Sequence, residues 1–358
     1  MKIEQTLIVL LSGWLCAGCG SVKPVTPQAS PEAAALLKYI QGISGRHTLT
    51  GQHNYPNTHD TSTLQAAATW GKTPAVFGQD FGFAAPGDKD AVTARSNIIA
   101  EVKQQYANGA IITLCWHAVR PTDDEPVTFR GSVQGKLTDE QWNELITPGT
   151  ALNRRWCDQV DVIAGYLKQL QDARVPVLWR PYHEMNGDWF WWGGRRGEHG
   201  TKVLYRQLFD RLVNHHHLNN LVWIWNVDRP STPQRQFADF FPGRKYFDIV
   251  ALDVYHSDFS PAYYCDLVKL AGGKPVALAE VGPPPTLAVL EQQPGWTWWM
   301  LWAEMVSTKP ADVEAMRTLV NNPRSLSLDD PEYLKGIAPL RAVSGLAPLP
   351  PAAPSAQK

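Results

Sequence analysis

The chain has 358 residues and carries 33 Lys and Arg against 34 Asp and Glu, which gives a net charge of −1. A protein that binds phosphate backbones needs a basic excess, so nucleic acid is excluded as an expected partner. The length fits one large α/β domain of about 250 residues or more with a tail at each end.

The first 19 residues are typical of an export signal rather than of folded structure. Lys2 precedes an apolar run over residues 7–15, which is shorter than the roughly 20 residues of a membrane-spanning helix. The run leads into Cys16-Ala17-Gly18-Cys19, which resembles a bacterial lipobox. We expect an exported protein whose lipidated Cys19 holds it at the outer membrane or cell surface. An ordinary cleaved signal, giving a periplasmic or secreted protein, is the alternative.

Two further segments are predicted to lie outside the folded domain. Residues 20–33 and 346–358 are rich in Pro, Ser and Ala, a composition that makes a poor core. We interpret them as a tether and a tail. Residues 34–345 between them contain no linker and no repeat at the periods of solenoid proteins, which predicts a single catalytic domain.

Within that domain, short apolar runs alternate with amphipathic stretches, as in successive β/α units. The predicted strands are 48–52, 74–79, 110–116, 175–181, 220–225, 248–254, 275–280 and 296–302. Predicted helices between them include 91–105, 156–173, 202–217, 262–270 and 312–321. In 156–173, Val160, Ile163, Ala164 and Leu167 recur at steps of three and four, which indicates a helix face that packs on a sheet.

Near-continuous apolar strands are typical of a parallel sheet covered on both faces. Eight such units predict a closed (β/α)8 TIM barrel of the α/β class. An open doubly wound sheet has the same periodicity, but no Gly-rich phosphate loop follows the first strand.

In such a barrel the active site lies at the carboxyl ends of the strands. Polar and aromatic residues are concentrated at five of the predicted strand ends. They are Trp116 and His117, His183 and Glu184, Asp253 with Tyr255 and His256, Glu280, and Trp302.

Two of these residues lie at the ends of the fourth and seventh predicted strands: Glu184 comes shortly after the fourth, and Glu280 is the last residue of the seventh. A carboxyl pair about 5–5.5 Å apart serves a retaining glycosidase, in which one group attacks the anomeric carbon and the other protonates the leaving oxygen. The acid needs a raised pKa, and it becomes the base in the second step. Arg180 could hold Glu280 charged, although a structural ion pair is the commoner role of such an arginine.

The segment 179–193, WRPYHEMNGDWFWWG, resembles glycoside hydrolase family 26, which consists chiefly of β-mannanases with a (β/α)8 barrel. Shorter matches are the motifs GQHN at 51–54, WH at 116–117, DVY at 253–255 and AEVG at 279–282. The resemblance covers residues from about 45 to 305.

The resemblance implies that Glu184 is the acid/base and Glu280 the nucleophile. It implies that His183 orients groups at the central sugar and that Tyr255 hydrogen-bonds the nucleophile. The expected substrate is β-mannan, galactomannan or glucomannan, cleaved at β-1,4 bonds by a monomer that uses no cofactor. Internal (endo) cleavage and release of mannobiose from a chain end (exo) are both open.

The remaining substrate contacts are expected from aromatic and polar residues around this pair. Trp189 matches a family Trp that stacks on the sugar on the leaving-group side, and His117 matches a His that contacts the glycone. Trp302 is predicted to be the platform under the central sugar, with Trp298 and Trp299 as alternatives. Trp116 and Asp253 complete the predicted set.

Three alternatives stay open at this stage. The same family includes enzymes that cut mixed-linkage glucans or xylans, and a barrel of this kind can also serve as a non-catalytic surface glycan-binding lipoprotein. A divalent metal site is the third, and its ligands would be His117, His183, Glu184, Asp253 and His256. The tract 215–217, His-His-His, is interpreted as a solvated helix end.

Overall fold

The structure is a computed structural model that describes residues 23–85 and 87–350. The predicted signal segment 1–19, including Cys19, lies outside the described residues. Among the helices of the described part, none combines the length and the apolar character needed to cross a bilayer.

Eight parallel strands form a closed barrel, which confirms the predicted fold class. The strands are β1 (Thr48–His53), β2 (Val76–Asp80), β3 (Ile111–Trp116), β4 (Val177–Pro181), β5 (Leu221–Asp228), β6 (Ile249–Tyr255), β7 (Val276–Gly282) and β8 (Trp296–Leu301). Each strand pairs with the next in the chain, and β8 pairs with β1 in the register Leu49 to Trp298. A two-residue strand, Ser325–Leu326, pairs in parallel with the first two residues of β1, and a short hairpin joins Phe83–Ala84 to Lys89–Asp90.

Helices connect the strands and cover the barrel. They are α1 (Pro31–Ile43), α2 (Thr61–Trp70), α3 (Arg95–Ala107), α4 (Asp139–Ile146), α5 (Ala151–Asp172), α6 (Thr201–Asp210), α7 (Pro261–Ala271), α8 (Leu287–Gln292), α9 (Pro310–Val320) and α10 (Pro331–Val343). The five helices predicted from periodicity are present, and the one predicted over 202–217 ends as α6 followed by a π-helical turn, Arg211–His215.

Helix α5 shows how the sequence sets these elements. The Thr150 side chain accepts a hydrogen bond from the backbone N–H of Asn153 and so begins the helix. The predicted inner face is buried, with Val160 and Leu167 fully inaccessible. Burial of such a side chain contributes about 1.5–3 kcal/mol, so this face rather than helix propensity fixes α5 on the barrel.

Many of the 15 Trp residues belong to this core rather than to a binding surface. Trp179, Trp223, Trp298 and Trp299 are fully buried. Trp299 packs against Trp70 at the end of α2, with ring centroids 5.6 Å apart.

The folded domain begins before the predicted residue 34. Helix α1 begins at Pro31, capped by the Ser30 hydroxyl. Further upstream, the Val25 N–H donates to Asp248 at 2.7 Å, and Thr26 is 3% exposed. The predicted tether is therefore partly built into the barrel, because a Ser-Pro helix start and backbone hydrogen bonds attach it there.

Candidate active site

A pocket of about 280 Å³ opens at the carboxyl ends of the barrel strands. It contains both predicted catalytic carboxylates. Its lining consists of Phe83, His117, Phe129, His183, Glu184, Phe190, Tyr255, Glu280, Trp302 and Glu304.

The turn after β4 places Glu184 at the pocket. Strand β4 ends at Pro181, as predicted, and in the turn that follows both Tyr182 (φ 47°) and Glu184 (φ 51°) adopt the left-handed region. Residues other than glycine pay about 1–3 kcal/mol for such a backbone and keep it where the surroundings impose it, often at functional sites. Here the Trp156 indole N–H donates to the Tyr182 hydroxyl at 2.7 Å and anchors the turn.

Glu280 is held by two hydrogen-bond donors, one from β4 across the barrel and one from the adjacent β6. The Arg180 guanidinium on β4 donates to its Oε1 at 2.5 Å, and the Tyr255 hydroxyl donates to its Oε2 at 3.0 Å. The His183 Nε2 lies 3.6 Å from Oε1. Arg180 is itself buried and also donates to Asn226 at 3.0 Å. The guanidinium therefore fixes the direction of the Glu280 carboxylate.

Glu184, Asp253 and Glu280 each offer an oxygen within 4.8 Å of the other two. Burial, followed by the charges of Asp253 and Glu280, raises the pKa of Glu184 well above its usual range. Burial and then the charge of Glu280 raise the pKa of Asp253 in the same direction. Glu184 is thus kept as an acid beside a carboxylate that is paired with Arg180.

Tyr255 and His183 keep fixed protonation states beside this pair. Burial, then the charges of Glu280 and Glu184, raises the pKa of Tyr255 well above its usual range, so its hydroxyl remains a donor. Burial, then the charges of His117 and Arg180, lowers the pKa of His183 well below its usual range, so its ring stays neutral.

Trp189 contacts the predicted acid directly. Its indole N–H donates to Glu184 Oε2 at 2.5 Å, and the Arg235 guanidinium lies 4.8 Å from the ring centroid. A side chain at Gly187 would overlap the Trp189 ring, so glycine allows the indole to fold back over the acid. This puts Trp189 on the Glu184 side of the pocket, where the predicted contact with the leaving group requires it.

His117 is oriented by Asp80, a residue absent from the predicted site. Its Nδ1 hydrogen-bonds Asp80 Oδ2, and its backbone N–H donates to Asp80 Oδ1 at 3.0 Å. Burial acts to raise the pKa of Asp80, but the charge and hydrogen bond of the His117 side chain, together with the backbone N–H donors of Gly82 and His117, outweigh it and lower that pKa to about 2. The His117 ring meets His183 edge-on, with centroids 4.4 Å apart. Because Asp80 ends β2, the strand-end criterion could have identified it.

Of the three candidate platform residues, Trp302 lines the pocket, whereas Trp298 and Trp299 are fully buried. The His53 ring stacks on one face of Trp302, with centroids 4.0 Å apart and planes inclined by 9°. The other face is the one that remains for a ligand.

Two predicted substrate contacts lie behind the pocket instead. Trp116 is 2% exposed and packs against Tyr182 with ring centroids 6.3 Å apart, so it belongs to the core behind the pocket. Asp253 is fully buried and accepts from Arg180 at 3.4 Å, so it acts on the site through that guanidinium. From the sequence alone, it could not be seen that His117 rather than Trp116 lines the pocket. The same holds for Tyr255 rather than Asp253 in the DVY motif.

The five ligands predicted for a metal site do not converge as one set. His256 is exposed on the loop after β6, and the His117 Nδ1 is engaged by Asp80. Glu184, Asp253 and Glu280 do converge, but the Arg180 guanidinium already pairs with two of them. In the 215–217 tract, His216 contacts Asp161 at 2.6 Å beside Arg211.

A family model for glycosyl hydrolase family 26 matches residues 25–330. A mannan endo-1,4-beta-mannosidase of Thermothelomyces thermophilus is 33% identical over 315 residues, which cover 85% of this chain and 62% of that protein. A protein of the same name from Bacillus subtilis is 29% identical over 282 residues, covering 74% of each. The chain therefore spans under two thirds of the Thermothelomyces protein's length.

Solved structures agree with these sequence matches. The structure of GH26A from Muricauda sp. MAR_2010_75 superposes with a TM-score of 0.79 at 44% identity, covering 85% of this chain and 98% of that chain. The family that the 179–193 segment resembles is thus confirmed over most of the described residues. The chain belongs to glycosyl hydrolase family 26.

Proposed function

We propose that this protein hydrolyses β-1,4-mannosidic bonds of mannan, galactomannan or glucomannan with retention of configuration. The observation that carries the proposal is the carboxyl pair: Glu184 and Glu280 have oxygens within 4.8 Å of each other. The two groups differ in their surroundings, because burial and neighbouring carboxylates raise the pKa of Glu184, whereas Glu280 accepts a hydrogen bond from Arg180. Two relatives named mannan endo-1,4-beta-mannosidase support the substrate class.

In the first step, the Glu280 carboxylate attacks the anomeric carbon of the central sugar. The bond from that carbon to the glycosidic oxygen breaks, and Glu184 gives its proton to the departing oxygen. The product is a sugar ester of Glu280 and a free saccharide. Arg180 and Tyr255 fix the direction of attack because they bind the two oxygens of Glu280.

In the second step, the ionised Glu184 takes a proton from a water molecule, whose oxygen attacks the same carbon. The ester bond to Glu280 breaks, and Glu184 is an acid again. Two inversions at one carbon give net retention. Trp189 stabilises the ionised form of Glu184 between the steps, since its indole N–H donates to that carboxyl group.

The test is a product profile of the purified protein on galactomannan, glucomannan, lichenan and xylan. We expect release of manno-oligosaccharides, with the β-anomer first in early NMR spectra. An initial α-anomer would overturn the double displacement. Cleavage of lichenan or xylan in preference to both mannans would overturn the substrate assignment in favour of the glucanase or xylanase alternative.

Glu280→Ala provides the decisive variant. We expect it to abolish mannan turnover because the nucleophile is removed. The variant should still unfold cooperatively, since Arg180 keeps Asp253 as a partner, although its thermal midpoint should fall because a buried ion pair is lost. Turnover equal to wild type in this variant would eliminate the mechanism. No turnover by the wild-type protein on any of the polysaccharides would favour a glycan-binding role.

We also propose, from the sequence of residues 1–19 alone, that the protein is exported and lipid-anchored through Cys19. In a bacterial host, Cys19→Ser should then move the protein from the membrane fraction to the soluble fraction. If wild type and Cys19→Ser divide in the same way between the two fractions, Cys19 is not lipidated. The ordinary cleaved signal is then the remaining interpretation.

A further inference from the structure

A third carboxylate, Glu304, lines the same pocket as Glu184 and Glu280. It belongs to a single 3-10 turn, Ala303–Met305, directly after β8 and two residues past Trp302. The mechanism proposed above gives this group no task, although it is exposed and negatively charged at the mouth of a sugar-sized pocket.

Glu304 is fixed in place by a chain of hydrogen bonds that begins at Trp302. The Trp302 indole N–H donates to the Tyr55 hydroxyl at 3.1 Å, and that hydroxyl donates to Glu304 Oε2 at 2.5 Å. Burial and then the hydrogen bond to Glu304 raise the pKa of Tyr55 well above its usual range, so the hydroxyl is the donor in the second bond. Phe83 packs against the Tyr55 ring at a centroid distance of 5.7 Å and forms the adjoining wall.

This series of hydrogen bonds leaves the Glu304 carboxylate available for a ligand. A carboxylate can accept about four hydrogen bonds, and Tyr55 supplies one of them at Oε2. Trp302 has its indole N–H engaged by Tyr55 and one face covered by His53, so its open face and the Glu304 carboxylate form one rigid corner of the pocket. An apolar face beside a fixed acceptor matches a sugar ring, which has a C–H face and hydroxyl groups at its edge.

The order of the strands tells which part of the substrate reaches this corner. Glu184 follows β4, and Glu304 follows β8, which is diametrically opposite in a closed barrel of eight strands. Glu184 must contact the leaving oxygen, so the leaving group extends over Trp189 on the β4 side. The sugar units on the other side of the scissile bond, the glycone side, therefore extend toward β8.

We propose that Glu304 accepts hydrogen bonds from the hydroxyl groups of the glycone sugar one unit beyond the sugar that reacts with Glu280. The inference rests on the proposed function. It makes Glu304 a specificity-determining residue: a free hydroxyl pair is bound, whereas an esterified hydroxyl or an acidic sugar at that unit is rejected. An esterified oxygen has no hydrogen to donate, and the carboxylate of an acidic sugar is repelled by Glu304.

Two aryl glycosides with the same leaving group isolate this contact. 4-Nitrophenyl β-mannoside places one sugar on the glycone side, and 4-nitrophenyl β-mannobioside places two. The variant is Glu304→Gln, whose amide oxygen still accepts from Tyr55 while its NH₂ group presents donors to the pocket. Glu314→Gln, the same charge change on the exposed side of α9, is the matched control.

We expect Glu304→Gln to lower kcat/KM for the mannobioside about tenfold or more, through a higher KM. Loss of a hydrogen bond to a charged group weakens binding by about this factor. The mannoside, which does not reach Glu304, should change by less than about twofold, and Glu314→Gln should change neither. Tyr55→Phe should lower both substrates together, because it releases Trp302 as well.

Equal kcat/KM for the mannobioside in wild type and Glu304→Gln would overturn the inference, and so would equal losses on both glycosides, which indicate a purely structural role. If wild type cleaves neither mannoside nor mannobioside but does cleave the corresponding glucosides, the substrate assignment fails instead. The same pair of glucosides then tests Glu304 independently.

Discussion

Replacing Arg180 is the sharpest test of how this site is held together. The guanidinium is buried, donates to Glu280 at 2.5 Å and to Asn226 at 3.0 Å, and lies 3.4 Å from Asp253. Arg180→Met fills a similar volume but leaves Glu280 buried without its cation. Breaking a buried ion pair by removing one partner costs about 3–5 kcal/mol, a large part of a typical total of about 5–15 kcal/mol.

For a domain of this size, about 2 °C is lost per kcal/mol, so calorimetry should show a thermal midpoint about 6–10 °C below wild type. Activity should fall further than stability suggests, because the direction of the nucleophile is lost. If about 2.7 kcal/mol of transition-state stabilisation disappears, kcat/KM falls about 100-fold.

Two variants control for trivial effects. Arg154→Met removes an exposed arginine at the start of α5 and should stay within about 0.5 kcal/mol of wild type. Arg180→Lys keeps the charge without the two-pronged geometry and should lie between wild type and Arg180→Met. An Arg180→Met protein that melts and turns over like wild type would refute the role given to this ion pair.

Two further predictions concern Glu184→Gln. It should lower kcat/KM on mannan by about 10²–10⁴-fold but leave activated dinitrophenyl glycosides much closer to wild type, since only a poor leaving group needs a proton; equal losses would contradict the acid assignment. The raised pKa of folded Glu184 means that its stability contribution is present below the unfolded value of about 4.3 and is lost as pH rises through the folded pKa. Glu184→Gln does not titrate, so denaturant unfolding should find it more stable than wild type at pH 7 and equal near pH 4; a constant difference would count against the shift.

The fold could be predicted because both faces of a parallel strand are buried, so each strand is a continuous apolar run. The eight predicted runs match β1 to β8 with ends displaced by a few residues. The start of helix α1 was predicted to lie in the tether, because residues 31–33 continue the Pro- and Ala-containing composition of residues 20–33. The Ser30-Pro31 start was the signal that could have identified it.

The site was predictable where a residue ends a strand, as Tyr255 does, or directly follows one, as His117 and Trp302 do. The same criterion applied to β2 would have included Asp80. Tyr55 and Glu304 could not be found this way, because their contact at 2.5 Å joins residues 249 positions apart in two loops. Such pairs arise only when β8 closes against β1.

Glu280 shows most clearly why strand ends alone do not define the site. In β7, Leu278 pairs with Leu252 of β6, but the next pair is Glu280 with Asp253, so Ala279 is an extra residue. Side chains alternate between faces, and Asp253 points inward to Arg180. A regular β7 would pair Ala279 with Asp253 and turn Glu280 outward among the helices. The bulge reverses the alternation for one residue and brings the carboxylate to Arg180 and Tyr255, so the nucleophile depends on an irregularity that apolar patterning does not reveal.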